Sequence, residues 1–164
     1  MELAIDTSTA IASLALAARG ETLAELTWHT ELNHTREVMP AIQYLLGSAK
    51  ASSSSIEAVV VALGPGSFSG LRVGLSIAKG MAIARRIPLV GIGTLEVEAL
   101  PFASSNLPVR PMLDAGRGEM ATALYQLQRG TWRQLEVERL ATLDDLVNDC
   151  PKATLFCGER AYQL

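Results

Sequence analysis

Gly64-Pro65-Gly66-Ser67-Phe68-Ser69-Gly70-Leu71-Arg72 leaves the apolar run Ala58-Val59-Val60-Val61-Ala62-Leu63 and opens the apolar-periodic segment Leu71 to Arg86. This reads as strand, tight glycine turn, helix. The glycines permit backbone angles closed to other residues, and Ser69 is placed to accept from free amides of the first helical turn. Such a turn at a strand's carboxyl end is where open α/β sheets place ligands, or where two backbones come close. Two phosphate-binding motifs fail here. A P-loop needs Gly-Lys-Ser/Thr, whereas Gly70 is followed by Leu71 and Arg72. A dinucleotide fingerprint needs G-x-G-x-x-G, but Gly70 stands one residue too late after Gly64 and Gly66, and no acid follows at the required distance.

Outward from the loop, Leu3 to Ile5, Ile11 to Ala17 and Leu23 to Trp28 read as strands, the last two turning at Arg19-Gly20. Val38, Met39, Ile42, Leu45 and Leu46 share one helical face within Asn33 to Lys50, with Asn33 or Thr35 as N-cap and Pro40 bending an early turn. The strand Ile56 to Leu63, the glycine turn and its helix, the strand Leu89 to Ile92 and a short helix from Thr94 to Pro101 complete a first lobe, residues 1–101. Prolines at 101, 108 and 111 mark the boundary. Beyond it the order restarts: strands Val109 to Leu113, Met120 to Gln128 and Trp132 to Leu140, a helix Leu143 to Asn148 capped by Thr142, and a strand Ala153 to Cys157. A βββαβ unit thus occurs twice, the second copy, 102–164, stopping early after Gly158-Glu159-Arg160.

With 164 residues, 49% of them hydrophobic, the chain suits an ordinary globular α/β protein. Fourteen basic and seventeen acidic residues, net charge −3, argue against an autonomous nucleic-acid binder, which needs clustered Lys and Arg. Cys150 and Cys157 suit neither a disulfide framework nor a zinc site, so reduced thiols are expected. The absence of a membrane span and of a basic leader points to the cytoplasm. His29 and His34, five apart, do not make the i, i+4 pair of a helical metal site and read as surface or capping residues. Ser67 and Ser69 lack a recognisable triad.

The loop with Val73-Gly74 resembles the signature of the TsaB (YeaZ) family, as do Leu3-Ala4-Ile5-Asp6-Thr7-Ser8, His34-Thr35-Arg36-Glu37-Val38-Met39-Pro40 and Asp114-Ala115-Gly116-Arg117-Gly118-Glu119. The family usually has threonine at Ser69 and serine-glutamate where Thr35-Arg36 stand. The resemblance implies a two-lobe actin-like ATPase (ASKHA, ribonuclease H-like) fold. It also implies a non-catalytic subunit required for threonylcarbamoylation of adenosine in tRNA, which binds and activates the transferase TsaD alongside the ATPase TsaE and meets tRNA only within the complex. In that fold phosphates sit between lobes. Asp6, Thr7, Ser8, Gly64 and Gly66 are therefore candidate ligands of ATP or ADP with Mg, at the inter-lobe cleft or a partner interface. Asp6 and Thr7 serve equally well as turn residues. The rival function is a small-molecule kinase using Asp6 and the loop, against which no lysine stands nearby.

Gly70, Gly74, Ala78 and Ala82 recur every four residues, a groove for close helix approach, with Leu71, Leu75 and Met81 beside it. This helix is apolar around most of its circumference, more than one sheet contact needs. His34, Glu37, Met39, Ile42, Gly70, Leu71, Gly74, Leu75 and Ala78 are the expected partner interface, first for a homodimer and then for the transferase, and Gly74→Arg is the substitution expected to block it.

Overall fold

The computed structural model describes residues 1–30 and 33–163. It divides into two compact units, Met1–Ile92 and Gly93–Leu164. The boundary falls earlier than the prolines imply, because helix α3 (Thr94–Ala99) packs on strands of the second unit.

In the first unit, β1 (Glu2–Asp6), β2 (Ile11–Ala18), β3 (Glu21–His29), β4 (Ala58–Ala62) and β5 (Leu89–Ile92) form one sheet ordered β3-β2-β1-β4-β5. The first three strands are an antiparallel meander, and β1, β4 and β5 run parallel. Parallel pairing needs crossovers, and α1 (His34–Ser48) and α2 (Phe68–Arg85) supply them. Alternation along β1 and β2 sends Leu3, Ile5, Leu14 and Leu16 into a core with Val38, Ile42 and Leu45 of α1 and Val59 and Val61 of β4.

The second unit repeats the plan with β6 (Val109–Gly116), β7 (Glu119–Gln128), β8 (Thr131–Ala141), α4 (Leu143–Asp149) and β9 (Leu155–Cys157), in the order β8-β7-β6-β9. Here β6 pairs parallel with β9 and antiparallel with β7. Thr142 caps α4, as expected, and does so in a reciprocal box with Asp145. The three hairpins turn at Arg19-Gly20, Arg117-Gly118 and Arg129-Gly130, with positive φ at both residues of each pair. That is the primed turn whose twist matches a two-residue hairpin. No helix among the described residues is long and apolar enough to cross a membrane.

Candidate functional site: a clasp beneath two helices

The signature loop closes on the β1–β2 turn. Ser67, not Ser69, caps α2: its Oγ accepts from Gly70 N at 3.4 Å, and Ser69 lies inside the helix. Ser67 N donates to Ser8 O at 2.6 Å, and Thr7 Oγ1 donates to Gly70 O at 2.8 Å. Gly66, at φ 155, lies so close to Ser8 that a Cβ would overlap the Ser8 carbonyl, and a Cβ on Gly70 would overlap that of Thr7. Glycine is needed here for backbone approach.

Asp6 ends β1 by accepting from Ser8 N at 2.9 Å and Ser8 Oγ at 2.5 Å, the turn-residue role. His34, expected at the surface or as a cap, is instead 3% exposed. Its Nε2 lies 3.3 Å from Thr9 O, a group that only accepts, so the ring carries its proton on Nε2. Its Cε1 would lie 3.2 Å from a Cβ on Gly70. Consecutive residues Thr7, Ser8 and Thr9 thus hold, in turn, the first turn of α2, the glycine loop and the first residue of α1. Glu37 secures α1 from the other side: its Oε2 accepts from Trp28 Nε1 at 3.0 Å, and that bond, helped by Thr30 and His34, holds the carboxyl below the usual glutamate range.

Part of the backbone expected to face a phosphate is engaged within the protein. The amides of Ser8, Ser67 and Gly70 are already spent on Asp6, Ser8 O and Ser67 Oγ, and Gly66 is filled by protein. Gly64, joined to Pro65 by a cis peptide, faces Leu71, whose Cδ1 would meet a Cβ there at 3.1 Å. Among the described residues no group of three or more His, Cys, Asp or Glu could hold a metal ion. His29 is exposed at the end of β3.

The small-residue stripe is a second correction. Gly70, Gly74, Ala78 and Ala82 are the buried residues of α2, and a Cβ on Gly74 would overlap Thr7 Oγ1. The close approach that Gly70 and Gly74 permit is to the chain's own Ile5 and Thr7, at the end of β1 and just beyond it. His34 and Ile42 are likewise buried, while Leu71 and Leu75 are half-buried. Of the expected interface, Met39 remains outward, at 43% exposure.

What α1 and α2 present to solvent lies on their opposite sides. Thr35 and Met39 of α1 with Ser69, Arg72, Val73, Ser76 and Ile77 of α2 line a groove of 470 Å³. It continues past Met39 and Gln43 toward Met81. The outer ridge of α2 carries Phe68 and Ile83, 75% and 78% exposed, and Tyr44 stands out from α1. Sequence reasoning missed this ridge, although Phe68, Arg72, Ser76, Lys79 and Ile83 recur at helical spacing on the side opposite the small residues.

Comparison with known proteins agrees with this architecture. The profile of the family described as TsaD, tRNA N6-adenosine threonylcarbamoyltransferase, matches residues 28–156. The tRNA threonylcarbamoyladenosine biosynthesis protein TsaB of Bacillus subtilis is 32% identical over 159 residues, 95% of this chain and 69% of that protein. Its Escherichia coli namesake is 37% identical over 142 residues, 83% of this chain and 60% of that protein. The structure of YeaZ from Pseudomonas aeruginosa superposes with a TM-score of 0.83 at 27% identity, covering 94% of this chain and 74% of that one. The chain therefore spans 60–69% of the length of these two curated relatives. With its duplicated α/β plan, its signature loop and these likenesses, the chain belongs to the TsaB (YeaZ) family and has the actin-like fold.

Proposed function

We propose that this chain is a non-catalytic subunit in the formation of threonylcarbamoyladenosine in tRNA, and that it works by docking its α1–α2 face on a TsaD-type transferase. The names of its relatives supply the pathway. The observation that carries the docking role is the clasp. The residues that look most like a ligand site are consumed in seating α1 and α2 side by side. What remains free is their outward side, with an open groove lined by Met39, Arg72, Val73 and Ile77 and, elsewhere on the same helices, exposed Phe68, Ile83 and Tyr44. An apolar-lined groove beside further exposed apolar side chains is the mark of an interaction site.

In this reading a TsaE-type ATPase joins the assembly, tRNA is bound by the complex, and the protein acts in the cytoplasm. The free chain pairs with itself through the same face. The test is reconstitution with the transferase encoded in the same genome. A stable complex is expected, and threonylcarbamoyladenosine should form only when both proteins are present. ATP hydrolysis or small-molecule phosphorylation by the isolated chain at an enzymatic rate, with no complex formed, would overturn the proposal in favour of a kinase.

A further inference from the structure

The α1–α2 face carries a charge pattern opposite to that of the chain. The chain has net charge −3, yet α2 contains Arg72, Lys79 and Arg85 with no acidic residue, and Arg86 caps it. Arg72 and Lys79 are exposed on the same ridge as Phe68 and Ile83, and Arg36 is exposed on α1. The Arg72 guanidinium lies over the Phe68 ring at 5.2 Å, which orients the cation beside an exposed apolar group. Arg72 also lines the groove. Arg85 differs, since it donates to Ser54 O at 2.8 Å and belongs to the end of the helix. Among the described residues of α1 the single acid, Glu37, is bonded inward to Trp28.

We infer that this face selects an unlike partner, a protein surface whose apolar centre is flanked by aspartate or glutamate, over a second copy of this chain. The inference rests on the docking role proposed above and specifies the partner's chemistry. A two-fold pairing of identical faces brings Arg72 and Lys79 of one copy toward the same cations of the other, and like charges in apposition oppose association. An acidic flank turns the same cations into attraction and steering. The two modes respond oppositely to salt. Screening weakens pairing with an acidic partner and strengthens self-pairing. A nucleic-acid backbone would also suit cations, but the ridge interleaves them with Phe68 and Ile83, and the groove floor is Met39, Val73 and Ile77. Alternating apolar and cationic groups suit a protein surface better than a phosphate track.

The experiment uses the full chain, wild type and the Arg72→Glu/Lys79→Glu double variant. Both positions are exposed, so circular dichroism should be unchanged, and Arg72→Gln/Lys79→Gln provides a milder second pair. Sedimentation of each chain alone and of the mixture should show the wild-type and reversed chains pairing with each other at least about tenfold more tightly than either pairs with itself at low salt. Self-association of the wild type should rise between about 0.05 and 0.5 M salt. Affinity for the transferase should fall over the same range, and the double reversal should weaken it by about tenfold or more. Arg133→Glu in the second unit should leave it unchanged.

A mixture no tighter than the separate chains, or wild-type self-pairing that weakens with salt, would overturn the inference. So would submicromolar tRNA binding abolished by the double reversal. A transferase complex indifferent to salt and to reversal would leave the proposed function standing while removing this inference. Preferential wild-type/reversed pairing without any transferase complex would do the opposite.

Discussion

Gly74 and Gly80 occupy one helix, and the structure assigns them opposite sensitivities. A Cβ on Gly74 overlaps Thr7 Oγ1, the atom that donates to Gly70 O, whereas a Cβ on Gly80 meets nothing within 4 Å. Gly74→Ala should therefore destabilise by about 1–3 kcal/mol through overpacking and loss of that clasp bond. Gly80→Ala should stabilise by roughly 0.5–1 kcal/mol, by the ordinary helix preference for alanine. Urea titration of the two variants checks both. Gly74→Arg, attractive as an interface block from sequence, should unfold the first unit. Spacing every four residues shows that something comes close but not what, and at Gly70 and Gly74 it is Thr7 with Ile5. His34 was opaque for a similar reason: its neighbours Thr9 and Gly70 are distant in sequence.

Glu37 provides a pH-dependent reporter at the same scale. Its bond from the Trp28 indole is the main reason its carboxyl sits below the usual range. A carboxylate with a lowered native pKa contributes stability that is present above its unfolded pKa and is lost as pH falls through the native value. In a Trp132→Phe background, Trp28 emission should hold steady from neutrality through the ordinary carboxylate range and change only below it. Glu37→Gln should abolish that acid transition. A transition centred at the ordinary glutamate value would show that the bond does not persist in solution.

At the scale of elements, Arg110 on β6 is the least expected feature. It is fully buried, its Nη2 donates to Glu136 Oε2 at 2.7 Å, and its Nε and Nη1 have no partner at hydrogen-bond distance, the Cys150 thiol being the other polar group that interacts with the guanidinium. Removing one partner of a buried pair strands the other charge, so Glu136→Gln should cost about 3 kcal/mol, less insofar as Glu136 reaches solvent. Arg110→Met removes the charge itself and should be neutral or stabilising, a reversal of order that chemical denaturation reads directly. The elements themselves were largely legible. Period-two runs placed β1 to β3 and β6 to β8 within a few residues, and Arg-Gly pairs marked two of the hairpins. The cap of α2 was misread because Ser67 and Ser69 flank the same turn. Which one accepts from Gly70 is decided by the Ser67–Ser8 backbone bond, a contact across many residues.

At the scale of the molecule, both units carry the same aspartate contact near the end of their first strand. Asp6 accepts from Ser8 N, and Asp114 accepts from Gly116 N, each two residues ahead. The duplication read from strand order thus extends to a side chain, but the copies differ in quality. The first unit has one continuous core built from Leu3, Ile5, Leu14, Leu16 and their neighbours, while the second has two smaller clusters, around Leu113 and Tyr125 and around Met112 and Leu146. Buried polar atoms without partners, Thr94 Oγ1, Arg110 Nε and Nη1 and Trp132 Nε1, all belong to the second unit among the described residues. A buried polar atom that neither protein nor water satisfies costs about 1–3 kcal/mol.

The second unit should therefore open at lower denaturant than the first. Cys157 reports on it: burial, with Glu98 nearby, pushes its thiol up to about 12, and it donates to Glu98 O at 3.5 Å, so it is inert until the unit opens. In a Cys150→Ser, Trp132→Phe chain, thiol labelling of Cys157 should begin at urea concentrations where Trp28 fluorescence, which reports on the first unit, is still native. Coincident transitions would show a single cooperative unit and would mean that the unpartnered polar atoms are satisfied by water.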